Sequence, residues 1–264
     1  MSSLPFTRSP PRPPPPPRAR SFDYDGPPDP ARWEHQVDCN NWVHAPGLDE
    51  KQWYEGAAAA ADGRECAWVA GGALRLTARR RPSGGGCAYA SARLRTRASW
   101  TYGRVEVCAR LPPGRRGLWP ALWMMPAASE FGVWPASGEV DILENVGYEP
   151  GRCVASAHTA RRNGRRGNHA RRATTVPDAH DAFHVFALEW EPTELRVFVD
   201  AKCYFRLARG PTAAEGEEWP FCRPFHVIIN IAVGGSWGGR RGIDDDAFPA
   251  TMEVKFVKVF QGDW

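Results

Sequence analysis

Apolar and polar positions alternate with a period of two along most of this chain. Val105, Val107, Ala109 and Leu111 alternate with Glu106, Cys108 and Arg110. Leu195, Val197 and Val199 alternate with Arg196, Phe198 and Asp200, and that run breaks at Asp200-Ala201-Lys202. Side chains two apart on a strand share a face, so each run predicts a half-buried strand. Residues 225–233 are mostly apolar and predict a strand covered on both faces. Met252, Val254 and Phe256 form a last alternating set, whose phase then moves to Val257 and Val259 as a bulge would move it. The one helix candidate, the short alanine-rich run at 57–61, stands alone, and no repeat of fixed period is present. Short strands punctuated by Gly and Pro predict an all-β chain: a β-sandwich of two curved antiparallel sheets, with one concave face open as a groove.

One strand-like run breaks the ordinary composition. Ser137-Gly138-Glu139-Val140-Asp141-Ile142-Leu143-Glu144-Asn145 places three carboxylates within six residues. Glu139 and Asp141 share a face by alternation, and strict alternation sends Glu144 to the other. One extra residue near Leu143, a β-bulge, brings Glu144 back beside them. The bland alternative is a solvated strand face. Three acids crowded together repel one another, however, and acid/base chemistry gives them a purpose. Glycoside hydrolysis needs one carboxylate to attack and one carboxylic acid to protonate the leaving oxygen.

The surrounding segments carry a resemblance. Gly117-Leu118-Trp119-Pro120-Ala121-Leu122-Trp123 and Trp134-Pro135, followed by the acid run, resemble the catalytic core of family 16 glycoside hydrolases, above all the laminarinase-like endo-β-1,3-glucanases. Phe22-Asp23-Tyr24-Asp25-Gly26, Tyr102-Gly103-Arg104-Val105-Glu106, Ala157-His158-Thr159, His184-Val185-Phe186-Ala187-Leu188-Glu189-Trp190 and Asn230-Ile231-Ala232-Val233-Gly234-Gly235 follow in the family order. The resemblance implies a jelly-roll, concanavalin-like fold over residues 22–264 and retaining hydrolysis of internal β-1,3 or mixed β-1,3/1,4 bonds in β-glucans. It makes Glu139 the nucleophile, Glu144 the general acid and then base, and Asp141 their partner. It also implies that Trp119, Trp123 and Trp134 line the groove, and that His158, Arg93, Asn40 and Trp237 contact substrate. Each of these has a plainer alternative, as core aromatic or satisfied polar side chain. Asn40 is the weakest, because Val37-Asp38-Cys39-Asn40-Asn41-Trp42 lacks the glycines that the family carries there. Competing readings are a sulfated-galactan hydrolase, which shares the bulged acid motif, a non-catalytic β-glucan-binding protein, and a scaffold or nucleic-acid protein.

Composition adds bounds to this picture. The chain has 264 residues, enough for one all-β domain, and a mild net charge of +4, which argues for neither nucleic acid nor membrane. No apolar stretch approaches the roughly 18 residues of a membrane span, and no export signal is visible, although the family resemblance implies an extracellular, monomeric enzyme. Residues 1–21, with an unbroken proline run at 13–17, are expected to form a tail separate from the domain. Seven cysteines, none in a C-x-x-C pair, allow up to three disulfides, with Cys108 and Cys203 equally readable as buried thiols. The arginines at 161, 162, 165, 166, 171 and 172 lack interleaved aromatics and read as a solvated loop. No cofactor is expected. Lys255 stands where many family members place an acid for a structural calcium, so no metal site is expected either.

Overall fold

The computed structural model describes residues 18–38, 48–57, 65–81 and 87–262. Its strands form two stacked sheets. The larger contains, in spatial order, β15 (Lys202–Ala208), β14 (Glu194–Val199), β13 (His184–Glu191), β8 (Gly103–Arg110), β17 (Ala250–Phe260), β5 (Ala73–Arg80), β6 (Tyr89–Ser91) and β3 (Gln52–Tyr54). β1 (Arg18–Ser21) pairs with β17, and β4 (Ala67–Ala70) with β5. The smaller sheet runs β12 (Ala170–Thr175), β11 (Arg152–His158), β10 (Glu139–Glu144), β9 (Leu118–Pro126), β16 (Phe225–Val233), β7 (Arg93–Thr96) and β2 (Trp33–His35). All pairings between the described strands are antiparallel except β3 with β6, a local departure from the expected uniform pattern.

The alternation seen in the sequence becomes the core. Val105, Val107 and Ala109 of β8 and Leu195 and Val197 of β14 are buried, and all nine residues of β16 are buried. The register of β17 against β8 shifts between Val254 and Phe256, which places the extra residue at Lys255. Val254 and Val257 can therefore both face inward. Among the described residues there is no α-helix, only two short 3₁₀ turns, and the 57–61 candidate falls mostly outside them.

Two expectations need correction. The tail was expected to reach residue 21, yet Arg18–Ser21 is a strand whose backbone pairs with Val259 through Phe256. The cause is the open edge of β17: β5 covers it only over Ala250–Val254, and β1 satisfies the next four positions. Cys66, Cys108, Cys153, Cys203 and Cys222 are free thiols, while Cys87 is disulfide-bonded, so the three possible bridges do not form. Cys108 is buried, but Cys203, on the outermost strand of its sheet, is exposed.

Candidate active site

The face of the smaller sheet that points away from the core forms a groove of about 320 Å³. Ladder register explains which side chains meet there. Asp141 of β10 sits opposite Trp123 of β9 and Ser156 of β11, and Ser156 sits opposite Arg171 of β12. On the other flank Trp123 faces Ile228 of β16, and the next outward residue, Asn230, faces Arg93 of β7. One transverse band across six strands thus carries Arg171, Ser156, Asp141, Asn230 and Arg93.

The bulge is present. On the β9 side, Asp141 pairs with Trp123 but Leu143 pairs with Leu122, so two steps on one strand match one on the other. Ile142 and Leu143 both turn into the core, fully buried, and Glu144 returns to the groove opposite Ala121. A bulge leaves a backbone carbonyl out of the ladder. Tyr204, from β15 of the opposite sheet, donates its hydroxyl to the Ile142 carbonyl at 2.8 Å. Gly138 precedes the motif at φ +88°, and a Cβ there would lie 2.7 Å from Pro220 Cγ, so only glycine delivers the chain to Glu139.

The acids are held by a dense set of donors. His158 Nε2 lies 3.2 Å from Asp141 Oδ2 and 3.6 Å from Glu139 Oε1. The Trp119 indole N–H donates to Glu144 Oε1 at 3.1 Å. Ser156 Oγ bonds Asp141 Oδ2 and lies 3.3 Å from Glu144 Oε2. A hydroxyl has one hydrogen to give. With that hydrogen on Asp141, the contact to Glu144 is made when Glu144 carries a proton and donates it to Oγ. Gly164 N–H donates to His158 Nδ1 at 3.1 Å, which leaves the imidazole proton on Nε2, facing the acids.

Burial, and then the Asp141 charge, pushes both Glu139 and Glu144 up to about 8. The nearby carboxylates draw His158 upward, to about 9, against its burial, whereas the Gly164 amide opposes a second proton at Nδ1. His169 stacks on His158 at 4.7 Å and 10°, and burial with the neighbouring cationic groups pushes it down to about 4. A carboxyl raised by folding stabilises the fold below its unfolded value, and that contribution is lost as pH rises through the folded value. The window here runs from about 4.5 to about 8. Glu144→Gln removes the penalty of ionising in the groove. Its melting temperature should exceed the parent's by about 3 °C at pH near 9, with the gap closing below about pH 4.5. Calorimetry across pH checks this, and a gap that widened toward acid would contradict it.

The other expected residues divide. Trp123 is almost buried as part of the floor, its N–H bonded to Asn230 Oδ1 at 2.7 Å and the Arg93 guanidinium over its ring at 4.6 Å. Arg93 is itself buried and bonds Gln36 Oε1 at 2.7 Å. Trp134 lines the groove 5.8 Å from His158, with its N–H buried near Glu139 but short of hydrogen-bond geometry. Trp237 lines the wall, edge-on to Trp119 at 5.6 Å. Asn40 lies outside the described residues. Sequence reasoning did not single out Tyr54, Ser156, His169, Tyr204 or Asn230 as site residues. Asn230 had a signal, as a polar residue inside a mostly apolar strand; the others had none. Among the described residues, the one group able to offer a metal three ligand atoms is Glu139, Asp141 and His158, within 4.8 Å of one another. A cation there would occupy the very carboxylate that hydrolysis needs. Lys255 places its ammonium over the Phe183 ring at 4.2 Å.

A bulged acid strand inside an aromatic groove matches a known pattern. The model for glycosyl hydrolases family 16 matches residues 54–256. The chain belongs to family 16. It is 45% identical to a beta-glucanase from Rhodothermus marinus over 91% of this chain and 82% of that protein. A glucan endo-1,3-beta-glucosidase from Cryptopygus antarcticus is 34% identical, covering 86% of this chain and 85% of its own. The solved laminarinase from Rhodothermus marinus superposes with a TM-score of 0.83 at 44% identity, covering 93% of this chain and 98% of that one. As a family 16 member the protein is an endo-acting glycoside hydrolase, and the jelly-roll sandwich expected from sequence is the family's fold. Among the described residues, no helix is long and apolar enough to cross a membrane.

Proposed function

We propose that this family 16 enzyme hydrolyses internal β-1,3 bonds of β-glucans such as laminarin, with mixed β-1,3/1,4 chains as further substrates, by a retaining double displacement. The observation that carries the reading is the bulge, which sets Glu144 on the face of Glu139 and Asp141. Retention needs two carboxyls about 5–5.5 Å apart, one to bond the sugar carbon and one to move a proton.

The surroundings support a division of labour. Glu139 is the one nearer positive charge, feeling both His158 and the buried Arg93. It is the group that ionises and attacks the anomeric carbon. Glu144 is met by the neutral donors Trp119 and Ser156 and keeps its proton for the leaving oxygen. Once the first product leaves, ionised Glu144 takes a proton from water, and that water displaces Glu139 from the sugar. Asp141 and His158 hold Glu139 in line. The binding-only alternative is disfavoured, since all three acids are present and set in place. The family likeness supports action outside the cell, where such polysaccharides are met.

Digestion of laminarin, mixed-linkage glucan and carrageenan tests this reading. Laminarin should yield short oligosaccharides of mixed length from the start, with the β-anomer released first by proton NMR. Activity should fall as pH rises through about 8, as Glu144 loses its proton. Release of the α-anomer first, or cleavage of carrageenan alone, would sink it.

A further inference from the structure

The arginine cluster is not one solvated loop. Arg161 is neutralised by Glu217 and Glu218, both at 3.2 Å. Arg165 and Arg171 instead line the groove itself, and Arg240 joins them from the turn that follows Trp237. The Arg165 guanidinium lies 4.9 Å over the Trp134 ring, and that of Arg171 lies 5.5 Å over Trp237. Their placement is built in. Arg165 sits on a 3₁₀ turn capped by buried Asn163 and tied to His158 through Gly164 N–H. Arg171 takes its position from the ladder, opposite Ser156. Arg240 donates Nε–H to the Ser236 carbonyl at 3.1 Å.

Among the described residues, none of the three has a carboxylate within ion-pair distance. They do not pair with the acids of the floor, so they add positive charge at the rim of the groove. A guanidinium stacked on an aromatic ring keeps its in-plane N–H edges free, and those edges fit the paired oxygens of a carboxylate or sulfate ester. A neutral glucan offers these three cations hydroxyls but no charge to pair with.

Resting on the β-glucan reading above, we propose that Arg165, Arg171 and Arg240 are specificity-determining residues. They recognise oxyanion substituents on the glucan, so that a β-1,3-glucan bearing carboxylate or sulfate groups binds better than the unsubstituted chain. The aromatic floor and the acids read the glucan backbone, and the rim reads its charge.

The test uses the full chain with Glu139→Gln, so that binding is measured without turnover. Calorimetry compares a neutral β-1,3-glucan oligosaccharide with carboxymethylated and sulfated oligosaccharides of the same length. At about 10 mM salt, where the screening length is roughly 30 Å, the anionic chains should bind about tenfold tighter. At about 1 M salt, where it is roughly 3 Å, the advantage should vanish. Adding Arg165→Ala, Arg171→Ala and Arg240→Ala should bring the low-salt affinity ratio close to one. The corresponding lysine variants should keep part of it, since they retain charge but not the planar edge. A ratio at or below one in the parent at low salt overturns the proposal. So does a ratio that the alanine changes leave intact, because the attraction would then come from other cations. Absence of binding to the neutral oligosaccharide would instead sink the β-glucan reading.

Discussion

Glu139→Gln and Glu144→Gln should each lower kcat on laminarin by at least about 10³-fold while glucan binding persists. General acid/base work alone contributes roughly 10²–10⁴ in rate, and loss of the nucleophile removes the covalent path entirely. The two variants should separate under rescue by azide. With Glu139→Ala, azide enters the vacated space and attacks the sugar directly, giving the α-glycosyl azide. With Glu144→Ala, Glu139 still forms the covalent intermediate from an activated aryl glucoside, and azide then displaces it to give the β-glycosyl azide. Two inversions restore configuration and one does not, so product stereochemistry assigns each role. Near-parent turnover in either glutamine variant, or the same anomer from both rescues, would overturn the assignment.

Inserting one alanine between Leu143 and Glu144 should abolish both activity and the cooperative fold. Ile142 and Leu143 keep their inward positions, the alanine takes the groove position opposite Ala121, and Glu144 moves to the inward row beside the buried Pro120. An unpaired carboxylate there faces a cost of several kcal/mol, against a typical total stability of about 5–15 kcal/mol. Tyr204→Phe tests the same element gently. It removes the hydroxyl that satisfies the Ile142 carbonyl at 2.8 Å, leaving a buried acceptor unpaired at a cost of about 1–3 kcal/mol. Thermal denaturation and laminarin kinetics read both variants. A folded, active insertion variant would show that the register set by the bulge does not place Glu144. A Tyr204→Phe enzyme with unchanged stability and kcat would show that the cross-sheet bond supports nothing.

Much of the fold was legible because period-two alternation is a local property of the chain. Val105-Val107-Ala109 and Leu195-Val197 needed no knowledge of their partners to declare an inward face. Two of the bulges even left a mark, as phase changes at Leu143 and Lys255. The strand Arg18–Ser21 left none, because four residues beside a proline run carry no period of their own. Only the uncovered edge of β17 calls for them. The cysteines were equally silent, since bonding depends on which thiols the sheets bring together.

The same boundary divides the site. The sequence by itself determined that three carboxylates lie on one strand, that a bulge must separate them, and that aromatic segments accompany them. These are contacts within a few residues, governed by strand geometry. Only the tertiary structure decided that Trp119 donates to Glu144 rather than offering merely a flat face, and that Ser156 and His158 share Asp141. It alone brought Tyr204 from the other sheet, and set Arg165 and Arg171 over Trp134 and Trp237 at the groove. Residues on different strands meet through ladder register and sheet stacking. Both are set by the whole sandwich, because sliding one strand by a single residue would turn every one of its side chains to the opposite face.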